Sequence, residues 1–148
     1  MIHENTYKNI DFNGAKGIVF LGDKMLTYRR DNKTYSYPFH IDLPGGGREG
    51  NESPFDTFKR EVKEEFGIDI EKNDIEFSWA IQSTIRPDKT SYFFVTKSLV
   101  LNPSEIIFGD EGIEWLLMTP EEFIKRPDGI ERQQKRVEKF LNGVRSFE

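Results

Sequence analysis

The sequence predicts a single α/β domain in which a mixed β-sheet lies between helices on both faces, an α/β/α sandwich. Apolar runs typical of strands alternate along the chain with amphipathic helical stretches, and turns marked by glycine or proline separate them. The 148 residues, 36% of them hydrophobic, suffice for one buried core. Because no internal repeat, low-complexity tract or linker interrupts the sequence, residues 1–148 are interpreted as one domain.

The strands predicted before the first helix lie at residues 17–21, 25–30 and 39–43. Arg29 and Arg30 end the second of them. These two side chains are either solvated charges at the end of the strand or, as the alternative, one of them contacts a substrate phosphate. The third strand runs into Pro44-Gly45-Gly46-Gly47, where the glycines allow a sharp exit and let main-chain carbonyls approach a ligand closely.

The first helix is predicted over residues 54–65, because both of its ends are marked. Ser53 suits the N-cap, and Pro54 suits the first helical position, where a missing N–H costs nothing. Gly67 suits the left-handed residue that ends a helix. One stripe of the helix is apolar and should face the core; it consists of Phe55, Phe58 and Val62.

An adjoining stripe, at spacings of three and four residues, brings three carboxylates within reach of one point: Glu61, Glu64 and Glu65. Arg60 is able to pair with Glu64 and with Asp56, so part of this charge is structural. For an arbitrary helix, a solvated acidic face is the plainer interpretation. Here the preceding loop adds Glu52 and closely approaching glycines, and an oxygen-only cluster of this kind suits a hard divalent cation such as Mg²⁺.

The second half of the chain is predicted to contain strands at residues 75–85, 91–101 and 114–117, a turn at 86–89, a short helix ending near residue 125 and a last helix at 131–141. The loop before the last of these strands carries Asp110 and Glu111 between two glycines, which predicts a mobile segment able to approach the glutamates. An exposed loop acid remains the alternative interpretation of Glu111.

Composition excludes several classes of protein. The absence of cysteine rules out disulfides and thiolate zinc sites. Neither a signal-peptide pattern nor an apolar run long enough to span a bilayer is present, so we expect no membrane segment and a cytoplasmic location. The formal net charge of −5 disfavours nucleic-acid binding. A small anionic substrate stays possible, because a bound cation changes the local sign of the charge.

Residues 46–68 carry a motif with a specific spacing. Gly46 is followed after five residues by Glu52, and after seven more by the run Arg60-Glu61-Val62-Lys63-Glu64-Glu65-Phe66-Gly67-Ile68. This pattern resembles the signature of the Nudix hydrolases, and every constrained position matches. The leucine-proline-glycine-glycine run before it also resembles the family. The resemblance implies the same α/β/α sandwich and hydrolysis of a nucleoside diphosphate linked to another group.

The resemblance also implies roles for individual residues. The metal ligands, for Mg²⁺ or Mn²⁺, would be the Gly46 carbonyl, Glu61, Glu64 (directly or through water) and Glu65. Glu52 would support the water network, and Arg60 would orient the glutamates by ion pairing. In many relatives the general base lies in a loop before a late strand, the place that Glu111 holds here. The cation would neutralise phosphate oxygens and activate the water that attacks phosphorus, while a glutamate accepts the proton.

The resemblance does not identify the substrate beyond a small, nucleotide-like diphosphate compound. A MutT-like nucleoside triphosphate pyrophosphohydrolase is preferred, because the chain is short and has no added domain. Nucleic-acid and membrane partners are not expected, and a homodimer is left open. Two alternatives remain: a catalytically silent Nudix module that senses a nucleotide, although such modules usually lose glutamates of the motif, and an interaction protein with a purely structural acidic helix.

Overall fold

The structure is a computed structural model and describes residues 11–33, 36–82 and 90–143. Within these residues the strands are β1 (Phe12–Leu21), β2 (Lys24–Arg30), β3 (Ile41–Asp42), β4 (Gly45–Gly47), β5 (Ile75–Gln82), β6 (Thr90–Leu99) and β7 (Gly112–Met118). The α-helices are α1 (Pro54–Phe66), α2 (Pro120–Lys125) and α3 (Glu131–Leu141), and short 3₁₀ turns lie at Lys72–Asp74 and Pro103–Glu105. Across the described part of the chain, no helix is long and apolar enough to cross a membrane.

The strands form one mixed sheet in the order β3-β2-β1-β6-β5, to which β4 adds by pairing with β1 and β7 by pairing with β2. The pairing of β1 with β6 is parallel, whereas β1 pairs antiparallel with both β2 and β4. Because β1 contacts three other strands, its residues lie near the middle of the sheet. The glycine strand β4 is therefore held beside the centre of the fold.

Alternating side chains of β6 divide the core into two clusters. Phe94 belongs to the cluster that includes Phe58 of α1. Phe93, the preceding residue, belongs to the cluster that includes Phe123 of α2 and Val137 of α3. Since successive side chains of a strand point to opposite faces of its sheet, α1 covers one face and α2 and α3 cover the other. The predicted α/β/α sandwich with a mixed sheet is confirmed.

The first helix follows its sequence signals closely and extends one residue beyond the predicted end. The Asp56 N–H donates to Ser53 Oγ at 3.1 Å, which caps the N-terminus. At the C-terminus Gly67 has a φ of 69°, and its N–H donates to the Lys63 carbonyl at 2.9 Å. Local signals therefore determine α1 almost completely.

Most predicted strands are found within two residues of their predicted ends, and β1 and β3 differ more. β1 begins at Phe12, well before the predicted residue 17, because its parallel pairing with β6 starts there. The strand predicted at residues 39–43 is reduced to Ile41–Asp42, because Tyr37 and Phe39 adopt positive φ values of 51° and 61° and turn the chain. The end of the strand predicted at 75–85 and the turn at 86–89 lie outside the described residues.

Candidate active site

The glutamate stripe of α1 lies directly against the glycine strand β4. A Cβ atom added to Gly46 would come within 2.6 to 2.8 Å of the Glu61 carboxyl atoms, so only glycine permits this approach. Glu65 Oε1 accepts a 2.9 Å hydrogen bond from the Gly45 N–H. Gly45 itself has a φ of 122°, which other residues rarely adopt. We call Gly46, Glu61 and Glu65 the α1 wall.

The carboxylates of the α1 wall are poorly solvated. Glu65 is 6% exposed, and burial raises its pKa to about 8 despite the opposing charge of Lys16. Burial also raises the pKa of Glu61, against the opposing effect of Arg60. Carboxylates that lose solvation in one place either bind protons or attract a cation. The α1 wall is therefore suited to bind positive charge.

Arg60 connects the carboxylates of the motif to one another. Its Nε and Nη2 donate to Glu52 at 2.7 and 3.0 Å. Its Nη1 donates to Glu61 at 3.0 Å and to Glu64 at 3.2 Å, and Nη2 also reaches the Gly47 carbonyl at 2.8 Å. One guanidinium thus orients three carboxylates and attaches the glycine strand to the helix.

Glu52 anchors the loop before α1 and is itself fully engaged. Its Oε1 accepts hydrogen bonds from the Glu49 N–H at 2.9 Å and from Thr57 Oγ1 at 3.2 Å, besides those from Arg60. The Arg60 hydrogen bonds lower the pKa of Glu52. The predicted pairing of Arg60 with Asp56 is not found among the described residues, because the guanidinium points toward the Glu52 loop.

The oxygen groups of the α1 wall fit a hard divalent cation, although they are not yet arranged around one. As the side chains stand, no group of three acidic or histidine residues within the described residues is placed to hold a metal ion. Arg60 accounts for this, because it engages Glu61 and also Glu64, whose side chain is 49% exposed. The buried carboxylates of Glu61 and Glu65 beside Gly46 nevertheless offer the all-oxygen ligands that Mg²⁺ and Mn²⁺ prefer.

A second ionic group lies beside the α1 wall, where β1, β2 and β3 meet. Lys16 Nζ is 2.9 Å from Asp42 Oδ2, and Arg30 Nη1 is 2.8 Å from the same oxygen. Burial alone would raise the pKa of Asp42, but the charge of Lys16 and the hydrogen bonds to the carboxylate outweigh it and lower that pKa. We call Lys16, Arg30 and Asp42 the floor. With two cations for one anion, it retains positive charge.

Sequence reasoning missed Lys16 and Asp42. Each is a charged residue next to or inside an apolar strand, at Lys16-Gly17-Ile18 and at Ile41-Asp42-Leu43. A charge in such a position requires a buried partner, which is the signal that was available. The identity of the partner was not available, because the two residues belong to strands that are not adjacent in sequence.

The α1 wall and the cations of the floor open onto one cavity of about 1210 Å³. The predicted site residues that line it are Arg30, Gly46, Glu61, Glu65 and Glu111. Those that do not line it are Arg29, Glu52, Arg60 and Glu64. The predicted set is therefore split into residues that line the cavity and residues that do not.

Arg29 and Arg30, both predicted as candidates for phosphate binding, point to different places. Arg29 Nε is 2.8 Å from Glu114, and its Nη1 is 3.1 Å from Asp128. These ion pairs join β2 to β7 and to the segment before α3. Of the two arginines only Arg30 lines the cavity, so the structure gives Arg29 a role in joining elements.

The loop that carries Glu111 is attached to α1. The Ile107 N–H donates to the Phe66 carbonyl at 3.0 Å, and the Gly109 N–H donates to the Glu65 carbonyl at 2.9 Å. A Cβ atom on Gly109 would collide with the Glu64 carbonyl. Gly109 thus permits close packing of this loop against α1. Burial raises the pKa of Glu61 most, Arg60 opposes this, and the negative charges of Glu64 and then Glu111 raise the pKa further. Glu111 therefore lies near the α1 wall and lines the same cavity.

Comparison with known proteins identifies related molecules. The NUDIX domain family model matches residues 12–140. A MutT protein from Methanosarcina mazei Go1 has a TM-score of 0.73 and 20% identity, over 91% of this chain and 96% of that chain. An Ap4A hydrolase from C. elegans, solved as a binary complex, has a TM-score of 0.65 and 21% identity, over 88% of this chain and 97% of that chain.

A third solved structure is a bifunctional NMN adenylyltransferase/ADP ribose pyrophosphatase from Francisella tularensis, complexed with AMP and a Mn ion. Its TM-score is 0.72 and its identity 20%, over 90% of this chain and 42% of that chain. A comparison with curated protein sequences finds no match. At these identities the solved structures share the fold with this chain, while the family match covers nearly all of the described residues.

Proposed function

Because the chain belongs to the NUDIX domain family, we propose that it is a metal-dependent hydrolase that cleaves the phosphoanhydride of a nucleoside diphosphate linked to another group. The observation that carries this proposal is the α1 wall, where Glu61 and Glu65 are held at Gly46 on the side of an open cavity. The motif keeps all its glutamates. This favours an enzyme over the alternative of a catalytically silent module that senses a nucleotide.

In the proposed site, Glu61, Glu65 and the Gly46 carbonyl hold Mg²⁺ or Mn²⁺, and Glu64 contributes directly or through water. When bound, the cation neutralises phosphate oxygens and lowers the pKa of a water molecule. Glu61 would have to share its carboxylate between Arg60 and the cation, while the two hydrogen bonds from Arg60 to Glu52 would hold the guanidinium in place. Arg60 and Glu52 are thus positioning residues for the α1 wall.

The floor supplies the positive charge that binds the substrate's phosphates. Lys16 and Arg30 line the cavity, and Asp42 holds both of them in place. Charge-assisted hydrogen bonds from such groups to phosphate oxygens are among the stronger polar contacts in proteins. Glu111, on the loop attached to α1, accepts the proton of the attacking water.

Within this class we prefer a nucleoside triphosphate as the substrate and a cytoplasmic location, and we leave a homodimer open. The solved relatives are named as a MutT protein, an ADP ribose pyrophosphatase and an Ap4A hydrolase. These names support the class of substrate, a nucleotide joined through phosphates to another group.

The experiment that tests the function is a panel of nucleoside triphosphates, nucleoside diphosphate sugars and dinucleoside polyphosphates with Mg²⁺ or Mn²⁺. We expect hydrolysis of at least one compound and its complete loss in EDTA. Glu65→Gln should lower kcat by a factor of about 10² or more, because it removes a charge that holds the cation. Glu76→Gln, an exposed substitution on β5 of the same kind, should keep full activity.

The sensing module predicts a different outcome. It would bind nucleotides from the panel with measurable affinity and turn over none of them with either metal. Retention of full activity by Glu65→Gln would instead show that hydrolysis does not depend on the α1 wall.

A further inference from the structure

The cavity has a second wall, and it is basic. Helix α3 presents four cationic side chains to the same cavity that the α1 wall lines: Arg132, Lys135, Arg136 and Lys139. Spacings of three and four residues place them on one stripe of the helix. We call these four residues the α3 wall. The α1 wall and the α3 wall therefore come from opposite faces of the sheet, which α1 and α3 cover.

Within the described residues, two members of the α3 wall, Arg132 and Arg136, have no acidic partner. Lys135 pairs with Glu131, one turn earlier, at 3.2 Å. For Arg132 and Arg136, no carboxylate lies within ion-pair distance in the part of the chain that the structure describes. Arg136 Nη1 donates to the amide oxygen of Gln133 at 3.2 Å, and its guanidinium carbon lies 6.0 Å from the centre of the Phe93 ring.

Arg136 carries its charge in an unfavourable place. It is partly buried against Phe93, and burial, followed by the like charge of Arg132, lowers its pKa to about 10. A bound anion would remove both causes, because it neutralises the pair and replaces the lost solvation with charge-assisted hydrogen bonds. The planar fork of a guanidinium matches phosphate oxygens in particular.

We propose that Arg132 and Arg136 bind a phosphate group of the substrate other than the linkage that is hydrolysed. The proposal rests on the proposed function and narrows its substrate. The linkage lies at the α1 wall, where the cation neutralises it, and the further phosphate lies at the α3 wall. The substrate is then a nucleotide with an additional phosphate, such as a nucleoside triphosphate, rather than a nucleoside diphosphate that ends in an uncharged sugar.

A small molecule fits this arrangement better than a nucleic acid. The basic stripe faces a cavity that the carboxylates of the α1 wall also line, and the whole chain has a net charge of −5. A long polyanion would meet these carboxylates as well, whereas a short one can place its charges selectively.

The first arm of the test measures binding without catalysis and without metal. Inorganic tripolyphosphate is titrated into the protein in EDTA by calorimetry, with wild type, Arg132→Gln and the double variant Arg132→Gln/Arg136→Gln. We expect affinity to fall by about tenfold in the double variant, since each tenfold corresponds to about 1.4 kcal/mol and charged hydrogen bonds reach this size. Arg132 is exposed, so its single variant keeps the fold and should show part of the loss.

The matched control also removes two positive charges, at positions away from the cavity. Lys63→Gln/Lys125→Gln alters exposed positions on α1 and α2 that do not line the cavity. It should bind tripolyphosphate within about twofold of wild type, since exposed charges at a distance are largely screened by salt. Equal affinity in the wild type, the α3 variants and the control would overturn the proposal.

The second arm measures specificity under turnover with Mg²⁺. For the double variant, we expect the KM for ATP to rise about tenfold with little change in kcat, and the KM for ADP-ribose to stay unchanged. An equal rise of KM for ATP and for ADP-ribose would overturn the assignment. Binding of single-stranded RNA is measured in parallel, and a double variant that loses RNA binding while both KM values stay unchanged would overturn it too. If no compound is hydrolysed, the proposed function fails, while the titration in EDTA still decides the phosphate site.

Discussion

Two buried carboxylates, Asp42 of the floor and Glu65 of the α1 wall, differ in the charged groups beside them. Asp42 is 1% exposed and lies within 3 Å of two cations, Lys16 and Arg30. Glu65 is 6% exposed and accepts a hydrogen bond from the Gly45 N–H, with no cation at ion-pair distance among the described residues. The pKa of Asp42 is lowered, and that of Glu65 is raised to about 8.

The difference distinguishes a carboxylate that is neutralised within the chain from one that is proposed to bind a metal ion. The carboxylate of Asp42 is neutralised within the chain by Lys16 and Arg30, so Asp42 stabilises the folded protein without any bound group. The α1 wall lacks that compensation, so ionised Glu65 costs free energy until a proton or a cation arrives. Both carboxylates are buried, so burial does not distinguish them. The presence of a cation at ion-pair distance, found for Asp42, does.

The largest expected effect comes from removing the anion of the floor. Asp42→Asn removes the carboxylate that both Lys16 and Arg30 bind, and loss of one partner of a buried pair costs about 3 to 5 kcal/mol. We expect the free energy of unfolding, measured with urea, to fall by about that amount.

The control for this substitution is Asp69→Asn. Asp69 forms a 3.0 Å ion pair with Lys63 in which both side chains are more than half exposed. Such a pair contributes less than about 1 kcal/mol. If Asp42→Asn lowers the free energy of unfolding no more than this control does, the Asp42 carboxylate does not stabilise the fold. The contrast with Glu65 then fails.

A smaller effect, on the rate of hydrolysis alone, is expected from substitution of Glu111, which lines the cavity. Glu111→Gln should lower kcat by about 10², the low end for loss of a general base, and should flatten the acidic limb of the pH–rate profile. Metal affinity and Tm should stay near wild type, because Glu111 is exposed. Full activity in this variant would return the role of base to Glu52, Glu64 or Asp110, which the matching variants would then identify.

The smallest effect is a gradual change of stability with pH in the metal-free protein. Because folding raises the pKa of Glu65 from 4.5 to about 8, the folded state holds more protons than the unfolded state between these values. The contribution of Glu65 to the free energy of unfolding is fully present below about pH 4.5 and is lost as the pH rises toward 8. The unfolding free energy in EDTA should therefore fall from pH 5 to pH 8.

Two comparisons sharpen this measurement. Glu65→Gln should reduce the slope, and excess Mg²⁺ should raise stability at pH 8 by binding the ionised form. Asp42, whose pKa is lowered from 3.8, contributes no slope in this range. A wild-type protein whose stability is flat over the range in EDTA would show that Glu65 is ionised at little cost.

The sequence alone specified α1, its caps and the spacing of its glutamates. Ser53, Pro54 and Gly67 act on their immediate neighbours, and residues three and four apart share a helix face in any fold. For the same reason the Gly46 to Ile68 motif could be recognised without a structure. The order of elements and the α/β/α class followed from the alternation of strand and helix patterns.

Tertiary structure decided which charges meet. Lys16 and Asp42 are 26 residues apart and are brought together by the placement of β1 and β3 in one sheet. Arg29 and Arg30 are adjacent in sequence but point to different partners, because successive side chains of a strand face opposite sides of the sheet. The α3 wall lines the cavity because α3 packs on the face of the sheet opposite to the face that α1 covers. Contacts of this kind depend on strand order and helix packing, which no short stretch of sequence encodes.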